Sequence, residues 1–268
     1  MGRMDSTQLQ RALHLAQEVA MAPSAMLLAA FRSRAFRVET KSDGSPVTEL
    51  DRRAEAVMRA VIRMSPEFGH LPILGEEAGL EGEAAVYQWL LDPIDGTVSY
   101  TRGIPTFGTI VALEDTVSGQ ALVGVIHHPH FGETYAAARG LGSWCQGQRL
   151  QVSSATDLRT ALVSAPDAYQ FHRTSLDAAH QRLWQACDHL RGYTDCWAHT
   201  QAARGIIDAV VEPMLNTWDI RATQVLIEEA GGKQITRPSA YPGALDAIFG
   251  CPALVDQLAD LVYGSEAR

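Results

Sequence analysis

An α+β fold is predicted by three features of the chain: helix-forming stretches at both ends, a central run of short strands that reads as an antiparallel meander, and alternating helices and strands through the second half. With 268 residues the chain can bury a substantial core, as one large domain or two closely packed ones. It carries 31 acidic against 22 basic residues, a formal charge of −9 and no long Lys/Arg run, which argues against nucleic-acid binding through a basic face. A phosphate ligand would then need local help. Cys145, Cys187, Cys196 and Cys251 are widely spaced with no C-x-x-C pair, so neither structural zinc nor a dense disulfide framework is expected. The N-terminal residues include Asp5, Gln8 and Gln10 in place of an apolar signal core, and no apolar run reaches the ~18 residues of a membrane span. These features lead us to expect a soluble cytoplasmic protein with reduced thiols and no membrane partner.

In the first half, Leu9, Leu13, Val19, Leu27 and Phe31 fall among helix formers, predicting one long helix from Ser6 to Arg34, capped by Ser6 or Thr7, with Pro23 as a point of kinking. The next segment turns at Lys41 to Pro46 and becomes helical behind Thr48 as N-cap, with Asp51 in the first turn where the helix dipole favours it. Lys41 reads as a surface charge. LPILGEEAG, from residue 71, is a short strand ending at Glu76 and Glu77. Strands over Thr106–Leu113, Ala121–His127 and Glu133–Ala138 form the meander. The histidines of HHPH at 127–130 point to opposite faces of a strand and lack a Cys or Glu at ligand spacing, so His127, His128 and His130 receive no metal role.

In the second half, Leu158–Ala165 is strand or loop, Leu176–Leu190 a helix, and RGYTDCW at 191–197 leads into a helix over Ala198–Ile207. A strand over Asp208–Val211 precedes a loop bracketed by Glu212 and Asp219, and an amphipathic helix runs from Ile220 to Ala230 with Asp219 at its N-cap. Gly231 and Gly232 end that helix, a strand covers Ala247–Gly250, and the last helix covers Ala253–Val262.

The ten residues Trp89–Val98, WLLDPIDGTV, organise the rest. They read as a buried strand breaking into a tight turn, with Asp92 and Asp95 at the strand's end. Proline restricts one φ angle and glycine permits an unusual one, so the turn can aim both carboxylates and the carbonyl of Ile94 at one point. Oxygen donors of that kind suit a hard cation such as Mg²⁺. An ordinary solvated turn would carry the same D-P-x-D-G letters.

Each acid also has a structural explanation by itself, but GEE at 75–77, LDPIDGT at 91–97 and WDI at 218–220 in this order are far more specific together. The chain resembles the inositol monophosphatase superfamily of Mg²⁺-dependent, lithium-sensitive phosphatases, and KSDGSPVTELD at 41–51 and EEAGG at 228–232 extend the resemblance over nearly the whole chain. It implies a layered α-β-α-β-α sandwich of the inositol monophosphatase and fructose-bisphosphatase type. It also implies a single phosphatase unit over 1–268, with most metal ligands in 1–150 and a substrate-covering half in 151–268, and a homodimer. By motif, Glu76, Asp92, Asp95, Asp219 and the carbonyl of Ile94 would be Mg²⁺ ligands. Thr97 and Glu76 would position the attacking water beside Asp51, and Gly96 and Thr97 would donate to phosphate. Clustered carboxylates repel one another without a cation, so metal binding and a competent site should be coupled.

RGYTDCW and EPMLNTWDI at 212–220 resemble the histidinol-phosphatase branch more than the inositol branch. By that resemblance Arg191 and Asp195 would lie near the substrate, whereas a local ion pair is the structural explanation of the two. Glu212 would contact the substrate's polar end, with Asp219 alongside. An acidic pocket could select a cationic amino alcohol by charge. The expected activity is therefore hydrolysis of a small phosphate monoester, histidinol phosphate foremost, with inositol 1-phosphate as rival and a noncatalytic metal-binding regulatory protein as the alternative of another class. A dinucleotide-binding loop is not expected, since GLGSW at 140–144 lacks G-x-G-x-x-G spacing.

Overall fold

The computed structural model describes residues 4–41, 44 and 46–264. Two helices replace the expected long one: α1 (Ser6–Met21) and α2 (Ser24–Ser33). The break falls at Ala22 and Pro23, because proline offers no N–H to the ladder. The cap of α1 is Asp5, not Ser6 or Thr7; its carboxylate accepts from the Gln8 N–H at 2.8 Å while the Gln8 side chain accepts from the Asp5 N–H at 3.0 Å. Strands β1 (Val38–Thr40) and β2 (Pro46–Thr48) pair antiparallel, and part of the turn expected between them, at 42, 43 and 45, lies outside the described residues. Thr48 caps α3 (Glu49–Arg63) as expected.

An eight-stranded sheet follows, built from β3 (Ile73–Gly75), β4 (Gly79–Glu81), β5 (Tyr87–Asp95), β6 (Gly108–Asp115), β7 (Gln120–His128), β8 (Glu133–Ala138), β9 (Gly142–Cys145) and β10 (Gln148–Arg149), with α4 (Thr97–Arg102) after β5. Its spatial order is β10-β9-β8-β7-β6-β5-β3-β4, so β5 to β8 form the expected antiparallel meander and only β3 runs parallel to β5. The remaining elements are β11 (Leu162–Ser164), α5 (Ala168–Arg173), α6 (Asp177–Ala186), β12 (His189–Arg191), α7 (Asp195–Ala203), β13 (Ala209–Leu215), α8 (Thr217–Glu229), β14 (Lys233–Pro238), β15 (Leu245–Gly250) and α9 (Pro252–Tyr263). Five of these strands form a second sheet in the order β12-β11-β13-β15-β14. Several boundaries differ from expectation. The helix expected over 176–190 stops at Ala186, and residues 189–191 pair with β11 instead. Helix α7 begins at Asp195, three residues before Ala198, and β14 was not foreseen because a Gly pair and a terminal proline bracket it.

Alternation along the strands sets the layers. On β6, Ile110 and Ala112 face the cluster that holds Ala198, Ala202, Val225 and Leu226 of α7 and α8, whereas Val111 and Leu113 face Leu13, Ala16, Met58 and Ile62 of α1 and α3. The second sheet repeats this arrangement, with Val210 and Phe249 toward α7 and α8 and Val211 and Ile248 toward Leu183 and Leu258 of α6 and α9. Helix, sheet, helix, sheet and helix thus stack in that order, the α-β-α-β-α sandwich of the expected α+β class. Both faces of the first sheet are covered, which is why seven of the eight residues of β6 are buried and the usual polar face of an antiparallel sheet is missing.

Helix α8 reaches its place because Gly124 on β7 has no side chain; a Cβ there would lie 2.5 Å from the carbonyl oxygen of Ala222 and from Cγ1 of Val225. Gly124→Val is therefore expected to lower stability by about 1–3 kcal/mol, the usual cost of overpacking. An unchanged urea midpoint would contradict this close approach. His127 and His128 are both buried, and burial pushes each imidazole down to about 4. His128 lies between the Phe107 carbonyl at 3.1 Å and the Thr200 hydroxyl at 2.9 Å, and His127 faces Thr134 at 2.9 Å. Their folded pKa values lie below the ordinary 6.5, so between about 4 and 6.5 the unfolded chain binds more protons. Their contribution to stability is present above that window and is lost as pH falls through it. The stability difference between wild type and His127→Gln should then narrow from pH 7.5 to pH 4.5; a constant difference would count against a neutral buried imidazole.

Candidate active site

Parallel pairing of β3 with β5 puts Gly75 opposite Leu91, so Glu76 leaves β3 beside Asp92. The Glu76 N–H donates to the Leu91 carbonyl at 3.1 Å and extends that pairing. The central stretch differs from the expected strand-then-turn, because Asp92 and Asp95 both lie within β5. Asp92 pairs with Ile110 and Asp95 with Gly108, three steps against two, which marks a β-bulge. Residues three apart on a regular strand point to opposite faces, and the extra residue restores both carboxylates to one side. Gly96, with φ 77°, then turns the chain into α4.

Carboxylate oxygens of Asp92, Asp95 and Asp219 lie within 4.8 Å of one another, the one such group of possible metal ligands among the described residues. Asp219 is not the N-cap of α8; Asn216 is, and Asp219 occupies the third helical position, where its Oδ2 accepts from the Asn216 N–H at 2.7 Å and from Asn216 Nδ2 at 3.2 Å. Burial, with Glu76, Asp95 and Asp219 nearby, pushes the Asp92 carboxyl well above its ordinary range. Burial with Asp95 and Glu76 does the same to Asp219. Asp95 is raised by burial too, against the Cys196 N–H that donates to its Oδ2 at 2.5 Å. Oxygen donors held together at such electrostatic cost fit a hard divalent cation, which would relieve both desolvation and repulsion. The Ile94 carbonyl, between the two acids of the bulge in sequence, accepts from the Thr97 hydroxyl at 2.9 Å.

Asp51 is buried and accepts from both the N–H and the hydroxyl of Thr48 at 2.7 Å. Burial dominates these bonds and lifts its carboxyl to about 6. Lys41, read from sequence as a surface charge, is half-buried and donates to Glu76 Oε1 at 2.7 Å and Glu77 Oε1 at 2.6 Å. Burial would lower its pKa, but the two carboxylates outweigh it and hold the ammonium charged. Glu55, also missed, accepts from the Glu77 and Ala78 N–H groups at 2.7 and 3.1 Å and so shapes the 76–78 turn. An i, i+4 partner, Arg59, was the available signal for Glu55, with its Nε at 2.8 Å.

Asp195 adopts a positive φ of 60°, and its carboxylate sits against Gly96, where a Cβ would come within 3.1 Å of Oδ2. Burial, then Asp95 and Glu212, raises Asp195 to about 8. Glu212 is buried and accepts from His199 Nε2 at 2.9 Å, while His199 Nδ1 meets the Thr223 hydroxyl at 2.8 Å. Burial alone would lower the pKa of His199, but Glu212, Asp95 and Asp195 outweigh it and raise it. His199 was overlooked because nothing in its own segment announces Glu212, thirteen residues on. Arg191 does not join the cluster: its guanidinium is exposed and donates to the Leu190 carbonyl at 2.9 Å, and neither it nor Asp195 makes the local ion pair considered from sequence. His127 and His128 serve the core, and the exposed His130 packs edge-on to Phe31. All four cysteines are free and buried, and no helix among the described residues is long and apolar enough to cross a membrane.

Residues 8–245 match the family model described as the inositol monophosphatase family. A histidinol-phosphatase of Chlorobaculum parvum is 36% identical over 221 residues, covering 82% of this chain and 83% of that protein. An inositol-1-monophosphatase of Mesorhizobium japonicum is 31% identical over 201 residues, covering 74% of each chain. Among solved structures, the extragenic suppressor protein suhB of Bartonella henselae superposes with a TM-score of 0.84 at 23% identity, covering 95% of this chain and 99% of that one, a likeness of fold.

Proposed function

From the premise that this chain belongs to the inositol monophosphatase family and is a phosphoric monoester hydrolase, we propose that it is a Mg²⁺-dependent, lithium-sensitive histidinol-phosphate phosphatase. The observation that carries the substrate choice is the acidic side formed by Asp195 and Glu212 next to the metal-type cluster, in a chain similar over most of its length to a histidinol-phosphatase. A cationic amino alcohol would offset there the burial and repulsion that raise Asp195 to about 8, whereas a neutral polyol would leave them in place.

Glu76, Asp92, Asp95, Asp219 and the Ile94 carbonyl would hold Mg²⁺. When bound, the cation supplies neutralisation of the phosphate's charge and a lowered pKa for water. The Thr97 hydroxyl, already donating to Ile94, keeps lone pairs with which to accept from the attacking water, and Glu76 orients that water from the other side. Asp51 stands behind this pair, immobilised by Thr48. The Gly96 and Thr97 N–H groups donate to the phosphate. As the water oxygen bonds to phosphorus, the ester P–O bond breaks; of the water's two protons, one ends on the departing oxygen, which leaves as the alcohol, and the other stays with the phosphate. The two halves, 1–150 and 151–268, act as one phosphatase unit, in a cytoplasmic homodimer; sedimentation tests the dimer.

Phosphate release from histidinol phosphate, inositol 1-phosphate and glycerol 2-phosphate, with Mg²⁺ and with EDTA or lithium, is the test. The expected result is a kcat/KM for histidinol phosphate at least about tenfold above inositol 1-phosphate, the scale of one discriminating polar contact. Preference for inositol 1-phosphate would support the second reading, which the Mesorhizobium japonicum relative favours. No release from any ester would leave the noncatalytic metal-binding reading.

A further inference from the structure

Between Glu212 and Asp219 the chain is irregular. Glu212 pairs with Ala247 and Leu215 with Leu245, three steps on β13 against two on β15, so β13 carries a bulge at Pro213 and Met214. The bulge changes the face that the strand presents. Val210 and Leu215, five apart, both enter the cluster shared with α7 and α8, where regular alternation would send them to opposite faces. Asn216, the N-cap of α8, follows Leu215 directly, so the bulge fixes where α8 starts and hence where Asp219 sits relative to Glu212. Met214 adopts φ 67°, a left-handed conformation that is costly for a residue other than glycine and persists only where its surroundings hold it.

Asp246, on β15 between the two paired positions, supplies that hold. It is 1% exposed, and its Oδ1 accepts from the Met214 N–H at 3.3 Å. Its Oδ2 has no hydrogen-bond partner among the described residues, and Arg237, its cross-strand neighbour on β14, approaches with Nε at 3.5 Å. The Arg237 guanidinium carbon lies 3.5 Å from the ring centre of Tyr263 on α9. Burying a carboxylate costs free energy, and an apolar residue on β15 would avoid that cost but leave the Met214 N–H without its acceptor. We propose that Asp246 is a positioning residue: backed by Arg237, it holds the Met214 bulge and thereby sets the placement of Asp219 relative to Glu212. It acts through the backbone of 213–216. The proposal rests on the phosphatase reading only for the roles of Glu212 and Asp219.

Hydrogen exchange of the metal-free, full-length protein and calorimetric titration with Mg²⁺ test this, using Asp246→Ala, Asp246→Asn and the double variant Asp246→Ala/Met214→Gly. Asp246→Ala should raise the exchange of the 214–219 amides about tenfold, the scale of one lost hydrogen bond, and weaken Mg²⁺ binding about tenfold, as loss of a group that orients a ligand does. Asp246→Asn keeps an oxygen for the Met214 N–H and should stay close to wild type in both. Glycine adopts a φ of 67° without help, so the double variant should recover most of both losses. A purely structural Asp246 would lower the thermal midpoint and leave the Mg²⁺ affinity of the folded protein unchanged. Unchanged exchange or unchanged Mg²⁺ affinity in Asp246→Ala, or a double variant no better than the single one, overturns the proposal even where esters are hydrolysed. Should Asp246→Ala alone not fold, the double variant decides: exchange and affinity near wild type uphold the proposal, and their loss overturns it. Where the wild type binds no Mg²⁺ and hydrolyses no ester, the phosphatase reading fails and the exchange pattern alone decides the role of Asp246.

Discussion

Asp92→Asn is expected to lower kcat/KM for every ester the protein hydrolyses by at least about 100-fold, the upper end of what losing a group behind a metal ligand costs. Without metal the same substitution should raise the thermal midpoint. The Asp92 carboxyl is pushed up by burial and by Glu76, Asp95 and Asp219, so its charged form opposes folding at neutral pH. The sign follows from the raised folded pKa: protonation stabilises at low pH, and that contribution is lost as pH rises. A neutral amide removes the loss, and about 1 kcal/mol moves the midpoint by roughly 2–4 °C in a chain of about this size. Saturating Mg²⁺ should reverse the order, because binding at about 100 times Kd stabilises the wild type by roughly 2.7 kcal/mol. Retained activity, or a metal-free variant less stable than wild type, would remove Asp92 from the proposed ligand set.

His199→Ala is expected to destabilise the fold by about 3–5 kcal/mol, because it leaves a buried carboxylate without its partner. Glu212 and His199 are both buried, with Nε2 at 2.9 Å from Oε2. Glu212→Gln should cost less, since an amide oxygen still accepts from the imidazole. In the double variant, Glu212→Gln should recover much of what His199→Ala loses. Denaturant unfolding of the four proteins reads this cycle, and additive effects would show that the pair is not coupled. His199 also fixes which way Glu212 faces, so the variant should raise KM for histidinol phosphate more than it lowers kcat.

Much of the fold was legible because it rests on local rules. Thr48 announces the start of α3, and the alternating central strands announce the meander. What was misread depended on competition between local signals. Asp51 lies in the first turn of α3 as expected and joins its capping box, but for α8 Asn216 takes the N-cap expected of Asp219 and leaves Asp219 at the third position. Residues 189 and 190 fall within the helix expected over 176–190 and are strand because β11 offers a parallel partner. Arg191 was drawn toward the site by its neighbours in RGYTDCW, yet the edge position of β12 leaves its guanidinium in solvent.

The sequence by itself determined the inventory of chemistry: the acids of GEE, DPID and WD, the excess of acidic over basic residues, and the periodicities that make a layered α+β chain. Those properties are carried by residue type and short-range spacing. Only the tertiary structure decided that Asp92 and Asp95 share a side through a bulge, that Lys41 neutralises Glu76, and that His199 underlies Glu212. Each joins residues through burial and strand register, and a carboxylate's energy depends on which charges surround it in space, which spacing along a chain does not state.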